Sequence, residues 1–579
     1  MIDYQALDGA VGHNWYDLDP MLVDRVKADC PSVSYPWVDA KLRHFGDLCG
    51  GDIARNADVI DANPPQLVRY GRWADEVGQV NHPGATIDSK RKLWAAGYVS
   101  GFAADEAAHG QSAPGVLHAG ANYLLSQADT GMVCSLGMTS GVAGLVDAYA
   151  PEDMRDDMLA RLRSDNFDHG ADGSMFLTER DGGSDLGRTV HCVARDIGDG
   201  RVLISGEKWF CSNIDGEAIV LLARPEGGSE GSAGIGLYLV PSHLEDGTPN
   251  RFTKRRLKLK LGTRSVPTGE VELNDALGYA LRPKRSDGGS DSSDLGGLNR
   301  MMEMVNGSRF GVAMMGLGIA RRSFLEAAVW AHHREAKGRV LVDLPLVREQ
   351  MVDLLCELEA AFALGFETAA AGGFPDGTRF RRVVVPAAKV RLCRLGVEAS
   401  TYAVELFGGN GYCEDWGLTR LLRDAVCHPI WEGSENICAL DVVRAIRRDN
   451  AHEAVLSRID TALENASHGP GYLAPAVDAI GIARQKLADR AERIDAVDAE
   501  WTQAGAGRLT DLLVQVTSAA LLAEAGATDP RKALVALRYT RRRLTPDAVW
   551  NDRIAYTAGR EILAYADVDQ AEAARAAAI

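Results

Sequence analysis

The spacing of apolar residues changes along the chain, and each change predicts a different kind of element. In residues 1–164, alanine, leucine and valine recur at helical intervals, as in SKRKLWAAGYVSGFAADEAAHG (89–110). These intervals place apolar side chains on one face of a helix. We therefore predict an α-helical N-terminal domain over residues 1–172.

Between residues 173 and 280 the apolar runs become short and rich in valine, isoleucine and leucine. Glycine, aspartate, asparagine and proline separate the runs TVHCVARDIG, RVLISGEKWF, EAIVLLARP, GIGLYLVP and GEVELND. Short runs of this composition between turn residues are typical of β-strands. No helical stretch lies between them, which argues against an all-parallel α/β sheet and predicts a separate β-domain.

Helical spacing returns after a polar stretch. The segment KRSDGGSDSSDLGG (284–297) is predicted to be an exposed loop because serine, aspartate and glycine dominate it. The glycines of GLGIA (316–320) lie inside a helical run without a preceding strand, so they indicate close helix packing. The predicted fold class is α+β, with domains 1–172, 173–280, 281–450 and an appended helical region 451–579.

The composition is that of a soluble globular protein. Of the 579 residues, 46% are hydrophobic and 25% are charged, and the length favours several domains. The N-terminus has no basic segment followed by an apolar one, and no uncharged apolar run of membrane-spanning length is apparent. A cytoplasmic protein without a membrane segment is expected. The ten cysteines show no CxxC or Cys/His spacing, so we expect small core residues and no metal site.

The charge balance disfavours nucleic-acid binding. A formal net charge of -17 repels phosphate backbones unless basic residues cluster. The main basic cluster is the run Arg541, Arg542 and Arg543. We interpret this run as a solvated helix face that pairs with neighbouring acidic residues.

The block LTERDGGSDLG (177–187) is the first that suggests chemistry. Thr178 and Ser184 surround paired glycines at the end of the first predicted strand. Their hydroxyls and the backbone N–H groups could bind an electron-rich ring or a phosphate, and glycine permits close approach. Taken alone, the block could equally be a polar hairpin turn.

A second block, GEKWFCSN (206–213), follows about twenty residues later. Phe210 and Ser212 are two positions apart, so they project from the same face of a strand. Two strands that offer hydroxyls and an aromatic wall are suited to a flat heterocycle.

Two later blocks complete the set. LFGGNGYCED (406–415) contains another glycine turn, and IWEGSENI (430–437) places Glu432 between Trp431 and Gly433. Desolvation by these neighbours is expected to raise the pKa of Glu432 toward the range of a general base. Alternatively, Glu432 could be a helix-capping acid.

The four blocks together resemble the acyl-CoA dehydrogenase family, and within it the branch that contains the alkylation-response protein AidB. NPPQLVRY (63–70), VNHP (80–83) and LKLKLGTRS (257–265) extend the resemblance over nearly the whole chain. The resemblance implies an N-terminal helical domain, a middle β-barrel-like domain and a C-terminal four-helix bundle. The residues after 450 would then form an appended helical domain.

The resemblance implies a non-covalent FAD, a set of binding residues and a base. The FAD-binding positions would be Leu177, Thr178, Ser184, Phe210, Ser212, Arg334, Gly408, Gly409, Ser434 and Asn436. The substrate-binding positions would be Ser184, Arg309, Trp431 and Gly433. Glu432 would remove the α-proton of an acyl-CoA thioester while the β-hydride goes to the flavin, which gives a trans-2-enoyl-CoA.

The resemblance also implies partners. Electrons would pass to an electron-transfer flavoprotein or another acceptor. A homotetramer or dimer is expected, because residues of two subunits complete the FAD site in this family.

Two departures from the family pattern bear on the site. Trp431 replaces a tyrosine of many members, which favours short or branched acyl chains. Lys337 replaces a phenylalanine after Arg334, which leaves the environment of the FAD adenine open.

Other functions are compatible with parts of this sequence. An AidB-like protein could bind DNA through a basic C-terminal domain, but acidic residues slightly outnumber basic ones after residue 450. A flavin oxidase or monooxygenase on the same scaffold is a third possibility.

Arg334 could be a solvated helix arginine, and His332, His333 and His428 are expected to be packed or exposed and not catalytic.

Overall fold

A computed structural model describes residues 1–283, 296–495 and 498–578, so residues 284–295 of the predicted loop 284–297 lie outside the described residues. Gly297, the last residue of that predicted loop, begins a helix instead. The chain divides into two compact units. Unit 1 consists of residues 1–51, 114–128 and 312–579, and unit 2 of residues 52–113 and 129–311. The predicted N-terminal domain contributes to both units, and the four predicted domain ranges stay predictions.

Unit 1 is built almost entirely from helices. They are Pro20–Asp29, Tyr35–Leu48, Gly115–Ala128, Pro345–Ala370, Gly377–Phe407, Leu418–Ala425, Glu435–Asp449, His452–Ser467, Ala474–Glu492, Ala499–Gly526, Pro530–Arg543, Ile554–Thr557, Gly559–Leu563 and Gln570–Ala577. The long helix Gly297–His333 belongs to unit 1 from residue 312 onward. The prediction that residues 298–450 and 451–579 are helical is confirmed.

Unit 2 combines helices with a β-sheet. Its helices are Ala54–Ala62, Gly84–Ala95, Ala103–His109, Thr130–Tyr149, Glu152–Leu162, Leu186–Thr189 and the first turns of Gly297–His333. Its main sheet has seven strands in the spatial order Gly173–Phe176, Arg201–Ser212, Val193–Gly198, Ala218–Pro225, Gly236–Pro241, Thr268–Ala280 and Phe252–Leu257. Additional pairings join Gly173–Phe176 to Ala218–Pro225 and Arg201–Ser212 to Thr268–Ala280. These pairings curl the sheet into the barrel-like form that was predicted.

The sequence analysis does not predict the strand Phe252–Leu257, the hairpin Gln66–Tyr70 with Glu76–Asn81, or the short hairpin Glu335–Ala336 with Arg339–Val340. The strand Phe252–Leu257 carries Lys254, Arg255 and Arg256 in succession, so it lacks the apolar alternation of a half-buried strand. Arg255 is instead paired with Glu272 of the neighbouring strand Thr268–Ala280 at 3.0 Å and with Glu207 of the strand Arg201–Ser212 at 2.6 Å. The hairpin Gln66–Tyr70 and Glu76–Asn81 lies within the range predicted to be helical, and most of its residues are exposed or half-buried.

Glycines bring two helices of unit 1 into close contact. A Cβ atom at Gly316 would lie 2.6 Å from the Cα of Cys393, and one at Gly396 would lie 2.9 Å from the carbonyl oxygen of Gly316. Only glycine permits helices Gly297–His333 and Gly377–Phe407 to approach this closely. The interpretation of GLGIA as helix packing is confirmed.

The basic run at 541–543 lies in the helix Pro530–Arg543 and is paired throughout. Arg541 contacts Asp552 at 3.1 Å, Arg542 contacts Asp353, and Arg543 contacts Glu357 at 2.5 Å. The predicted pairing with acidic residues is therefore confirmed. The predicted solvation is wrong for Arg541, which is buried.

One helix in the described part of the chain, Thr130–Tyr149, is long and apolar enough to cross a bilayer by length and composition alone. The helix begins at Asp129, whose carboxylate accepts the backbone N–H of Met132 at 2.9 Å. Sixty-one percent of its most apolar 18-residue stretch is buried inside the protein, as in the core helices of globular proteins.

Candidate active site

Leu177 and Thr178 directly follow the strand Gly173–Phe176 in unit 2, as predicted. The carbonyl of Thr178 accepts the backbone N–H of Trp209 at 2.9 Å, and that of Leu177 accepts the Lys208 ammonium at 3.4 Å. The Leu177 side chain packs against a hydrophobic core of unit 2. These contacts fix the backbone of both residues and leave the hydroxyl of Thr178 half-buried at the strand end.

The glycines of this block have a packing role. A Cβ atom at Gly183 would lie 2.6 Å from the Oγ1 of Thr178, so a side chain there would displace the hydroxyl. The backbone N–H of Gly182 donates to the carbonyl of Glu179 at 3.0 Å, which closes a tight turn. The alternative of a polar turn is thus correct for residues 179–182, and this turn leaves Ser184 exposed just beyond it.

Phe210 and Ser212 lie near the end of the strand Arg201–Ser212, on the opposite face from the buried Cys211. The Phe210 ring is 54% exposed, and the Lys258 ammonium lies 4.7 Å from its centroid. The hydroxyls of Ser212 and Thr268 are 3.1 Å apart. This face therefore presents a partly exposed aromatic ring beside an ordered hydroxyl pair.

The sequence prediction missed the groups that order this face. Lys260 donates to the Oγ1 of Thr268 at 3.1 Å and to the carbonyl of Val266 at 2.7 Å. Lys258 and Lys260 lie in the LKLKLGTRS segment, which was noted only for its resemblance. Arg309, the remaining candidate in unit 2, is buried in the helix Gly297–His333 and donates to Asn306 at 3.3 Å.

The other candidates lie in unit 1, where residues 426–434 form the connection between the helices Leu418–Ala425 and Glu435–Asp449. Glu432 has a left-handed backbone with φ of 56°, and Gly433 follows with φ of 100°. The N-cap of the following helix is Ser434, without a side-chain capping bond. Glu432 precedes the cap by two residues, so its interpretation as the N-cap is wrong.

A buried lysine that the sequence analysis did not predict donates hydrogen bonds to the backbone of this connection. The ammonium of Lys389, in the helix Gly377–Phe407, donates to the carbonyls of Pro429 at 3.0 Å and Gly433 at 2.6 Å. These two carbonyls flank Glu432 in the sequence. Glu432 itself is half-buried, and the raised pKa expected for it stays a prediction.

Trp431 packs against His428. Their rings are stacked at 5.6 Å between centroids, with 21° between the planes. His428 is fully buried, and burial together with the charge of Lys389 lowers its pKa to about 3. The ring is therefore neutral, which agrees with the prediction of a packed histidine and not a catalyst.

Arg334 and the glycine turn lie at adjoining helix ends in unit 1. Trp330, near the end of Gly297–His333, stacks at 4.3 Å on Phe407, the last residue of Gly377–Phe407. This contact brings the helix end before Arg334 close to the turn Gly408–Tyr412. Arg334 is exposed, lies just beyond its helix, and forms no ion pair with the described residues.

The turn at 408 is open. Gly408 has φ of 63°, and a Cβ atom added at Gly408 or Gly409 would meet no atom within 4 Å. Tyr412 in the same turn is 86% exposed. Ser434 and Asn436 are exposed as well.

Lys337, where the family has phenylalanine, occupies a tight hairpin between Glu335–Ala336 and Arg339–Val340. Its φ of 54° and that of 73° at Gly338 fit a two-residue hairpin turn. Lys337, which departs from the family pattern, is therefore part of a regular β-hairpin turn.

The sequence ranges that contain the candidate residues of unit 1 and of unit 2 both match domains of known proteins. The profile described as acyl-CoA dehydrogenase, C-terminal domain, matches residues 296–447, and that of the middle domain matches residues 174–276. The profile of the adaptive response protein AidB N-terminal domain matches residues 8–169. AidB of Escherichia coli (strain K12) is 32% identical over 431 residues, which cover 71% of this chain and 75% of AidB. The chain belongs to the acyl-CoA dehydrogenase family.

Solved structures agree on the fold. ACDH-11 of Caenorhabditis elegans, solved in complex with C11-CoA, superposes with a TM-score of 0.85 at 24% identity, covering 95% of this chain and 96% of ACDH-11. An acyl-CoA dehydrogenase of Bacillus anthracis complexed with FAD gives a TM-score of 0.65 at 16% identity, covering 85% and 89% of the two chains.

Acyl-CoA dehydrogenases are FAD-dependent oxidoreductases, and the residues of this chain fit that cofactor. Phe210 offers a partly exposed aromatic ring, and Thr178 and Ser212 offer hydroxyls to a flat polar ring. Gly409 offers open space for close approach, and Arg334 offers an exposed guanidinium to a pyrophosphate. The assignment of these residues to the cofactor stays a prediction.

Proposed function

We propose that this protein catalyses the α,β-dehydrogenation of an acyl-CoA thioester to a trans-2-enoyl-CoA, with Glu432 as the base. The observation that carries the proposal is the backbone of Glu432. This acid stands in a left-handed conformation on a connection tied to a buried lysine, and it is not the helix cap. A non-glycine residue in this conformation costs free energy, and such strain concentrates at active sites.

The chain's own residues would act on substrate and cofactor as follows. Glu432 would take the α-proton of the thioester, and its backbone N–H would hydrogen-bond the thioester oxygen as charge develops there. Arg309, Ser184, Trp431 and Gly433 would bind the substrate. FAD, when bound, supplies the acceptor for the β-hydride.

The FAD would be held non-covalently. Leu177, Thr178, Ser184, Phe210 and Ser212 would contact the flavin, and Ser434 and Asn436 would bind beside the base. Arg334 would pair with the pyrophosphate. Gly408 and Gly409 would accept the adenosine of an FAD bound to a neighbouring subunit, so we propose a homodimer or homotetramer.

The acyl chain and the electron acceptor are further parts of the proposal. The bulk of Trp431 favours short or branched chains, whereas ACDH-11 was solved with C11-CoA. We therefore favour an acyl-CoA with a short or branched acyl chain as the substrate. Acyl-CoAs with longer chains should be tested in the same assay. The acceptor would be an electron-transfer flavoprotein or a protein of similar role, in the cytoplasm.

The paired arginines in the helix Pro530–Arg543 do not support DNA binding. Arg541, Arg542 and Arg543 each contact a carboxylate of this chain, so they do not form a free basic surface. The enzyme is for this reason preferred to a DNA-protecting flavoprotein.

The proposal is tested by anaerobic bleaching of the yellow protein with a panel of acyl-CoAs from short and branched chains to C11. We expect at least one thioester to bleach the flavin. Glu432→Gln should retain FAD but bleach about 10²- to 10⁴-fold more slowly, the usual share of a general base. Unchanged bleaching in this variant would reject the base, and rapid reoxidation by air would indicate an oxidase.

A further inference from the structure

Lys389 is a buried cation without a carboxylate partner among the described residues. Lys389 is 0% exposed, and its ammonium donates to the carbonyls of Pro429 and Gly433. Burying an ammonium costs several kcal/mol, and most buried cations are paired with an acid to offset this cost. Arg391, two residues later on the same helix, follows the usual rule and pairs with Glu357 and Glu398 at 3.0 Å.

The two carbonyls that Lys389 binds enclose the strained part of the connection. Pro429 lies three residues before Glu432, and Gly433 directly follows it. Both Glu432 and Gly433 have positive φ angles, of 56° and 100°. Glycine adopts a positive φ freely, but at Glu432 such a backbone is strained and persists only where surrounding groups hold it.

Two titratable groups whose pKa values respond to the charge of Lys389 are themselves neutral at pH 7. His428, fully buried in the same connection, has its pKa lowered to about 3 by burial and by Lys389. Cys393, on the same helix as Lys389, is buried, and burial raises the pKa of its thiol to about 12. The thiol of Cys438 contacts the Gly433 carbonyl at 3.6 Å, as a second and weaker donor. The carbonyls before and after Glu432 therefore receive the hydrogen bonds of the lysine.

We propose that Lys389 is a positioning residue for Glu432, holding residues 429–433 in the conformation from which the carboxylate takes the α-proton. The inference rests on the proposed role of Glu432 as the base. Lys389 does not touch the substrate in this proposal. It acts by tying the ends of a short strained segment to a helix that glycine packing already fixes.

The test replaces Lys389 by methionine, which keeps the length of the side chain and removes its donors. We expect amide hydrogen exchange in 426–434 to accelerate at least tenfold, with other segments unchanged. Flavin bleaching should slow about 100-fold, the scale of a 1 Å misplacement, while FAD content and acyl-CoA affinity stay near wild type.

Arg391→Met is the matched control, because it removes a mostly buried cation from the same helix without touching 429–433. An equal loss of bleaching in this variant, or unchanged exchange in Lys389→Met, would overturn the proposal. If Lys389→Met does not fold, Lys389→Arg keeps donors in a displaced position. Bleaching by this variant at the wild-type rate would overturn the proposal too, whereas a several-fold loss with faster exchange confined to 426–434 supports it.

Hydrogen exchange separates this inference from the proposed function. If no acyl-CoA bleaches the wild-type flavin, the proposed reaction fails. The exchange experiment needs no substrate and still decides whether Lys389 holds the segment.

Discussion

Lys208 Nζ lies 2.7 Å from Glu179 Oε1 in the β-domain, and neither side chain is more than 4% exposed. Glu179 also accepts the backbone N–H groups of His191 at 2.7 Å and Cys192 at 3.1 Å. Burial alone would raise the pKa of Glu179, but Lys208 and the two backbone donors outweigh it and lower the pKa. The pair anchors the backbone of Leu177 and Thr178, which the proposed flavin contacts require.

We expect Lys208→Met to lower the free energy of unfolding by about 3–5 kcal/mol at pH 7, because it leaves an uncompensated buried carboxylate. Urea denaturation measures the change. The double variant with Glu179→Gln should lose less than the single one, since no buried charge remains. Arg91→Met, which removes an exposed ion pair with Asp168, should cost no more than about 1 kcal/mol. A Lys208→Met variant as stable as Arg91→Met would contradict the anchoring role.

His428 predicts a pH dependence of stability. Its folded pKa of about 3 lies below the ordinary value of 6.5, so the protein keeps the full contribution of the neutral ring above pH 6.5. This contribution is lost as the pH falls from 6.5 to 3, by up to about 5 kcal/mol at 1.36 kcal/mol per pKa unit. His428→Phe should flatten the fall of stability in this window, as measured by denaturation at several pH values. His468→Gln, at an exposed helix end, should leave the profile unchanged, and an unflattened His428→Phe profile would refute the assignment.

We expect alanine substitutions at the two glycines of the open turn, Gly408 and Gly409, to have different effects. Gly408 has φ of 63° and ψ of -137°, a backbone conformation that residues other than glycine rarely adopt. We expect Gly408→Ala to destabilise the protein by about 1–3 kcal/mol. Gly409→Ala meets open space and should unfold like the wild type, yet retain less FAD on gel filtration if adenosine packs there. Normal FAD retention by Gly409→Ala would argue against the adenosine contact.

The pairing of the basic run predicts no specific DNA binding. A protein that neutralises phosphates loses affinity steeply with salt, so a true footprint would appear as a salt-sensitive mobility shift. We expect no shift at physiological salt, because Arg541, Arg542 and Arg543 already bind carboxylates. A shift that weakens with salt would restore the DNA-binding alternative.

Local patterns predicted the elements well where burial is one-sided. The long helices and most strands follow from apolar spacing, and the GLGIA contact follows from its helical setting. The strand Phe252–Leu257 escaped detection because ion pairs, such as Arg255 with Glu207, replace apolar alternation on it. Periodicity records burial and does not record salt bridges.

The candidate site shows a similar limit. Glu432, Gly408 and Phe210 could be chosen because their neighbours in the sequence mark them. Lys389 could not, because it lies 43 residues before Glu432 within a long helix, and a single sequence does not tell which helical lysine points inward. The stack of Trp330 on Phe407 joins residues 77 positions apart and was missed for the same reason.

The two ends of the described chain are bonded to each other within unit 1. The backbone N–H of Ile2 donates to the carbonyl of Ala564 at 2.8 Å, and the Tyr4 hydroxyl donates to that of Leu563 at 3.3 Å. During synthesis, Ile2 and Tyr4 therefore remain without these partners until residues more than five hundred positions later have been made. Their apolar side chains, buried in the folded protein, stay uncovered until then, so we expect chaperones to bind the nascent chain and refolding after denaturation to be slow.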